Sequence, residues 1–251
     1  MAIQKTEALI LKTQPFRSSS LIVTFFSRSF GKLRGLVKGV RREGETRGAM
    51  FEPFTHLEIV FYEKLRSDLH LVSESSIIES HDALRSSLES ITYASYFSEL
   101  VDELTEVHDP HDPIFDLLDY CFRFLASLPG EKLSRVFEIK LLAEVGWLPY
   151  LDNCLQCGNS PIEKGYFSVK QGALICTKCA HEFPDAAPLT AETLALMRYY
   201  VKHDVEASLQ RTTSRTSETD LGKLLTGFIL YRLGKPFKSR QFLKQILPVL
   251  R

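Results

Sequence analysis

SLIVTFFSRSFGKLRGLVKGV, residues 20–40, reads as two short strands on either side of a tight turn. Residues 20–27 and 33–40 are rich in β-branched, aromatic and aliphatic residues, and Phe30-Gly31-Lys32 supplies the break between them. The same signature recurs in 6–14 (TEALILKTQ), 55–63 (THLEIVFYE) and 69–79. In the fourth of these segments Leu57, Ile59 and Phe61 share one face, while His56, Glu58 and Tyr62 share the other. Five short strands so close together predict a small closed barrel, with the OB-fold the leading candidate. RREGETRGAMFEP, after the third strand, reads as a loop where many OB-folds carry a helix.

From residue 82 the period changes. Leu84, Leu88, Ile91, Ala94, Phe97, Val101 and Leu104 recur every three or four residues, the pattern of an amphipathic helix. Asp112-Pro113 opens a second helix, with Asp112 as the expected N-cap, and a third runs from about Glu131 to Val145. Helices resume after Pro188 with Thr190 as N-cap, and Gly234 and Pro236 stop the one spanning roughly 218–233. The fold class is therefore α+β multidomain. A five-stranded OB-type barrel (1–80) precedes an all-α bundle (81–151 and 183–251), with a small cysteine module (152–182) inserted into it.

Four of the five cysteines, Cys154, Cys157, Cys176 and Cys179, form C-x2-C pairs separated by eighteen residues. One tight turn presents two thiolates to one ion, and two such turns at this spacing make the zinc-ribbon pattern. A structural Zn2+ is expected, with redox cysteines or a degenerate site as alternatives. Four thiolates leave no ligand position for water, so the pattern does not describe a catalytic zinc. Cys121 lies in a helical apolar stripe and reads as core, His108–Asp112 as an interhelical turn.

Lys+Arg and Asp+Glu both number 31, but their layout is uneven. Residues 5–47 carry ten basic and three acidic residues, 82–138 four basic and twelve acidic, and 221–251 seven basic and none acidic. Arg28, Lys32, Arg34, Lys38, Arg41 and Arg42 lie on two of the strands and the loop after them, where a barrel surface would track a phosphate backbone. Phe25, Phe26 and Tyr62 read as core rather than as stacking faces. At the other end Lys235, Lys238 and Arg240 either extend this footprint or offset a helix dipole. The chain has no phosphate loop, dinucleotide fingerprint, G-x-S-x-G or H-E-x-x-H. Nothing assembles a nucleophile, base and oxyanion set, and an enzyme is not expected. No apolar run approaches a membrane span and no signal peptide is evident, so a cytoplasmic protein with no membrane partner is expected.

EIKLLAEVGWLPYLDNCLQCG (138–158) and YRLGKPFKSRQFLKQ (231–245), following a basic five-strand barrel and helices, resemble the bacterial recombination mediator family RecO. The likeness covers essentially the whole chain. It implies an OB-fold and a non-enzymatic role in DNA repair, in the cytoplasm at the nucleoid. Members bind single- and double-stranded DNA and anneal complementary strands. With RecR they help load RecA onto strands coated by single-stranded DNA-binding protein, whose acidic C-terminal tail they also bind. Some members have lost the cysteines, whereas this chain keeps all four. Two rivals remain: a zinc-dependent enzyme of the sirtuin type, for which the dinucleotide fingerprint is missing, and an RNA-binding or transcription-associated zinc-ribbon protein.

Overall fold

A computed structural model describes residues 2–40, 46–64, 67–160 and 162–246. The chain forms two compact units, Met1–Leu128 with Phe242–Arg251, and Pro129–Gln241.

In the first unit, β1 (Ile3–Phe16), β2 (Ser20–Ser27), β3 (Gly31–Val37), β4 (His56–Tyr62) and β5 (Leu69–Glu79) close into a barrel in the order β1-β2-β3-β5-β4. All pairings are antiparallel except β3 with β5, where Arg34 to Val37 run alongside Leu69 to Val72. That parallel closure gives the barrel its OB topology. Ala8, Ile10, Val23, Phe25, Leu33, Leu57, Ile59 and Phe61 are almost wholly buried inside it. Each large apolar side chain among them contributes about 1.5–3 kcal/mol by leaving water. Gly35 leaves room for this packing, since a Cβ there would sit 2.7 Å from Val72 and 2.8 Å from Phe25. The segment after β3 holds a 3-10 turn at Thr46–Phe51, and Phe51 closes the core.

One irregularity in β1 reorients half of the strand. Ile10 pairs with Phe25 and Lys12 with Thr24, so Leu11 is surplus. Such a bulge advances the alternation of faces by one residue. Ala8 and Ile10 point into the core, yet beyond the bulge Lys12 and Gln14 are exposed and Phe16 is half-buried.

Three helices belong to the same unit: α1 (Asp82–Arg85), α2 (Leu88–Leu104) and α3 (Asp112–Phe124). Ser87 caps α2 by accepting from the Ser90 N–H. His111, not Asp112, occupies the N-cap of α3, so Asp112 and Pro113 fall inside its first turn. An acid there still meets the positive end of the helix dipole.

The second unit contains α4 (Gly130–Glu144), the sheet strands β6 (Gly165–Ser168), β7 (Ala173–Ile175) and β8 (Ala186–Leu189), and then α5 (Ala191–Lys202), α6 (Val205–Gln210) and α7 (Arg215–Leu233). The sheet order is β7-β6-β8. Thr190, Asp204 and Ser214 cap α5, α6 and α7 through their side chains. Gly234, with φ 69°, closes α7 in the left-handed conformation that glycine adopts without strain. The last helix, α8, is Lys238–Ile246. Two lysines of α4 hold other helix ends. Lys132 donates to the Leu209 and Arg211 carbonyls at the end of α6, and Lys140 to those of Val201 and His203 at the end of α5. Each cation thereby meets the negative pole of a helix.

Candidate nucleic-acid interface and metal centre

The basic residues read from the sequence separate into two groups. Arg28, in the β2–β3 turn, lies 2.8 Å from Asp116 of α3 and 3.3 Å from Glu7, with its guanidinium 4.3 Å over the Phe115 ring. Lys32 donates to the Asp102 and Thr105 carbonyls at the end of α2, and its ammonium is 3.4 Å from the Asp102 carboxylate. Gly31, at φ 61°, begins β3 so close to the Asp109 backbone that a Cβ would collide with it. These two cations anchor acidic helices to the barrel.

Arg34 and Lys38 are exposed and make no ion pair among the described residues. The register puts Lys12 with Arg34: Lys12 pairs with Thr24, and Thr24 with Arg34, forming one row across β1, β2 and β3. The adjacent row is Gln14, Ile22 and Leu36. Beside them runs a groove of about 350 Å³ lined by Lys12, Gln14, Thr24, Lys32, Arg34 and Asp102. Lys12 escapes a reading by charge clusters because it stands sixteen residues before Arg28 and joins the row only through strand pairing. Arg41 and Arg42 lie outside the described residues. Phe25 and Phe26 are both fully buried and offer no stacking face.

At the C-terminal end of the second unit, Lys235 and Lys238 are exposed. Arg240 has a different setting. It reaches Glu138 of α4 at 3.0 Å and donates to the Thr226 hydroxyl, while Arg135 meets the same carboxylate at 2.9 Å. Glu138 is 0 % exposed. The conspicuous GKPFKSR segment therefore includes one arm of a buried charge cluster.

A second polar cluster lies under α3. Asp119 is 3.1 Å from His56, 3.7 Å from His81 and 2.8 Å from Arg123. Burial pushes the Asp119 carboxyl up, but His56, Arg123 and His81 outweigh it and hold it below its ordinary value. Burial also depresses the His81 imidazole, against the opposing pull of the Phe54 carbonyl, Glu79 and Asp119. Both folded values are lowered, so both contributions are present at high pH and fade on acidification. For His81 the loss begins near its unfolded value of about 6.5, and for Asp119 near about 3.9. The first unit should therefore melt at a lower temperature at pH 5 than at pH 7. His81→Asn, which suits the left-handed backbone at φ 54° and does not titrate, should remove part of that difference in thermal melts, the rest belonging to His70, whose imidazole burial also depresses. An unchanged pH dependence in that variant would assign the effect elsewhere.

The four cysteines of the second unit converge. Their Sγ atoms lie within 4.8 Å of one another, the one group of three or more metal-binding side chains found among the described residues. A tetrahedral zinc with bonds of about 2.3 Å separates its sulfurs by about 3.8 Å, and Cys157 and Cys176 are 3.8 Å apart. The first pair sits in a turn closed by the Gly158 N–H on the Cys154 carbonyl, the second in one closed by Cys179 and Ala180 on Cys176. Burial raises the Cys154 thiol, but N–H donors from Cys176, Cys157 and Gln156 bring it down to about 6, whereas burial and the three neighbouring sulfurs push the Cys179 thiol up to about 12, so the four share their charge unevenly without a cation between them. Arg198 of α5 grips the module by donating to the Leu151 and Ile162 carbonyls. Cys121 is fully buried in α3.

An OB barrel joined to helices and a four-cysteine module defines a class of nucleic-acid-handling protein, and comparison narrows it. Residues 1–81 match the family model of the recombination protein O N terminus, and residues 85–241 that of its C terminus. DNA repair protein RecO of Anaeromyxobacter dehalogenans (strain 2CP-C) is 32% identical over 249 residues, covering 98% of each chain. That of Syntrophus aciditrophicus is 31% identical over 250 residues, with 98% and 96% covered, and that of Thermoanaerobacter sp. (strain X514) 27% over 248, with 98% and 99% covered. The chain belongs to the RecO family of DNA repair proteins. None of these relatives carries an enzymatic name, and no described helix is long and apolar enough to cross a membrane.

Proposed function

We propose that the chain is a non-enzymatic DNA-binding mediator whose working surface is the outward face of β1, β2 and β3. The observation that carries this reading is the set of exposed cations Lys12, Arg34 and Lys38, which make no ion pair among the described residues and of which the first two line the groove. Such a face neutralises phosphates without reading sequence, so binding is salt-sensitive and suits both single strands and duplex. Holding two strands with charge screened and bases free would let complementary strands anneal. Family membership supports the further roles: work with RecR, contact with the acidic tail of single-stranded DNA-binding protein, and indirect service to RecA. The setting is the cytoplasm, at the nucleoid. Arg41, Arg42, Lys235 and Lys238 remain candidate phosphate contacts, while Arg28, Lys32 and Arg240 already hold acidic partners. The cysteine cluster takes one structural Zn2+, with all four ligand positions filled by thiolates.

The test is a Lys12→Glu/Arg34→Glu/Lys38→Glu variant assayed on single-stranded DNA, duplex and RNA, and for annealing of strands already coated with single-stranded DNA-binding protein. Affinity for single strands should fall on the order of 100-fold near 0.1 M salt, and the log–log salt slope should shrink by about 2, at roughly 0.7 per phosphate. Wild-type affinity in this variant would end the assignment. A preference for RNA with no annealing would favour the RNA-binding alternative.

A further inference from the structure

The β1–β2 turn holds an aromatic side chain that the phosphate-binding face does not account for. Phe16 pairs with Ser20 and points to the same side as Lys12 and Gln14. It is half-buried, while neighbouring large aromatics of the barrel such as Phe25, Phe26 and Phe61 are closed over. The next residue, Arg17, places its guanidinium 5.2 Å from the centre of the Phe16 ring. It does so from φ 54°, a left-handed backbone uncommon for any residue but glycine, asparagine or aspartate. Ile22 and Leu36, half-buried in the row between, continue an apolar floor towards Arg34. Lys12, Arg34 and Lys38 border that floor, so a ligand on it is a polyanion with flat apolar faces.

From this arrangement we infer that Phe16, with Arg17 beside it, is a nucleobase-stacking platform that makes the face favour single strands over duplex. The inference deepens the DNA-binding reading and rests on it. A single strand offers unpaired bases whose faces can lie on an aromatic ring, whereas duplex bases are stacked and paired with each other. Phosphate contacts alone do not draw this distinction. Phe16 stands four residues along β1 from Lys12, roughly 13 Å at strand spacing. A strand running along β1 would therefore set its backbone on the cations and one base on the ring. Nothing in the geometry reads base identity, so oligothymidylate is a suitable probe.

The experiment compares Phe16→Ala with the wild-type chain on fluorescein-labelled oligothymidylate, on an abasic strand of equal length and on a hairpin duplex, all at one salt concentration. Loss of one stacked base should weaken oligothymidylate binding about 5- to 100-fold. Duplex and abasic affinities, and the salt slope, should stay at wild-type values. In Phe16→Trp, tight binding should persist, and oligothymidylate should quench emission beyond the change seen from Trp147 alone. Equal losses on all three ligands, or no loss on any, would overturn the platform, as would absent quenching in Phe16→Trp. The underlying reading fails differently: then Lys12→Glu/Arg34→Glu/Lys38→Glu binds DNA as well as wild type, whatever Phe16→Ala does.

Discussion

Cys154→Ser and Cys176→Ser are each expected to release the metal and unfold much of the second unit, leaving the barrel's affinity for DNA largely in place. Structural zinc sites of this type can supply ~10–16 kcal/mol in small peptides. The full amount does not transfer here, because β6, β7 and β8 pair with one another and Arg198 holds the Leu151 and Ile162 carbonyls from α5. A loss of several kcal/mol is the reasonable expectation, enough to move a domain melting temperature by well over 10 °C. Cys154 and Cys176 also lie among the most buried of the four, so a serine hydroxyl would lose its metal in a site poor in water. Metal content by mass spectrometry, calorimetry and DNA affinity together decide the matter. A variant that kept one zinc per chain would show the cysteine is no ligand. A variant that stayed folded and metal-loaded yet lost DNA would give the cysteine module a direct part in binding.

Glu138→Ala should rank next, lowering the stability of the second unit by about 3–5 kcal/mol. The carboxylate is 0 % exposed and faces two guanidiniums, Arg135 at 2.9 Å and Arg240 at 3.0 Å. Gly222 shapes the same cluster, since a Cβ there would come within 2.5 Å of the Arg135 guanidinium. Removing the anion leaves two cations in a poorly hydrated place, which costs far more than the net worth of the pairs. The remedy follows from the same reasoning. A triple variant with Arg135→Met and Arg240→Met added should regain much of the loss, because apolar groups of similar length need no counter-charge. Denaturant midpoints measure both effects. A Glu138→Ala chain as stable as wild type would mean that water or relaxation reaches the two arginines.

What the sequence disclosed, and what it hid, follows from the range of each interaction. The five strands, the start of helix at residue 82, the Thr190 cap and the four-cysteine pattern are written in neighbouring residues or fixed spacings. Their recovery needs only periodicity and ligand chemistry. The partners of the basic residues are not local. Arg240 meets Glu138 across 102 positions, and Lys32 meets the end of α2 across 70. Charge clustering therefore marked Arg28, Lys32 and Arg240 for phosphate, and folding supplies them with carboxylates and carbonyls. Lys12 and Phe16 were hidden for another reason, since simple alternation from Ile10 would turn both towards the core. The N-cap of α3 slipped by one residue because Asp112 suits the first turn as well as the cap.

The surplus residue at Leu11 gives β1 something like a reading frame. Upstream of it the odd positions look out, downstream the even ones do, and the apolar and cationic halves of the strand are thereby set on opposite sides of one wall. Loss of a single residue between Ile10 and Lys12 would remove no contact in the binding face directly. It would also keep the phase, since Lys12 would then follow Ile10 directly and still face the side of Thr24; regular pairing with Leu11 retained is what would turn Lys12, Gln14 and Phe16 towards the core. The bulge thus decides which side chains of β1 the proposed binding face can use, as much as the identity of the cations does.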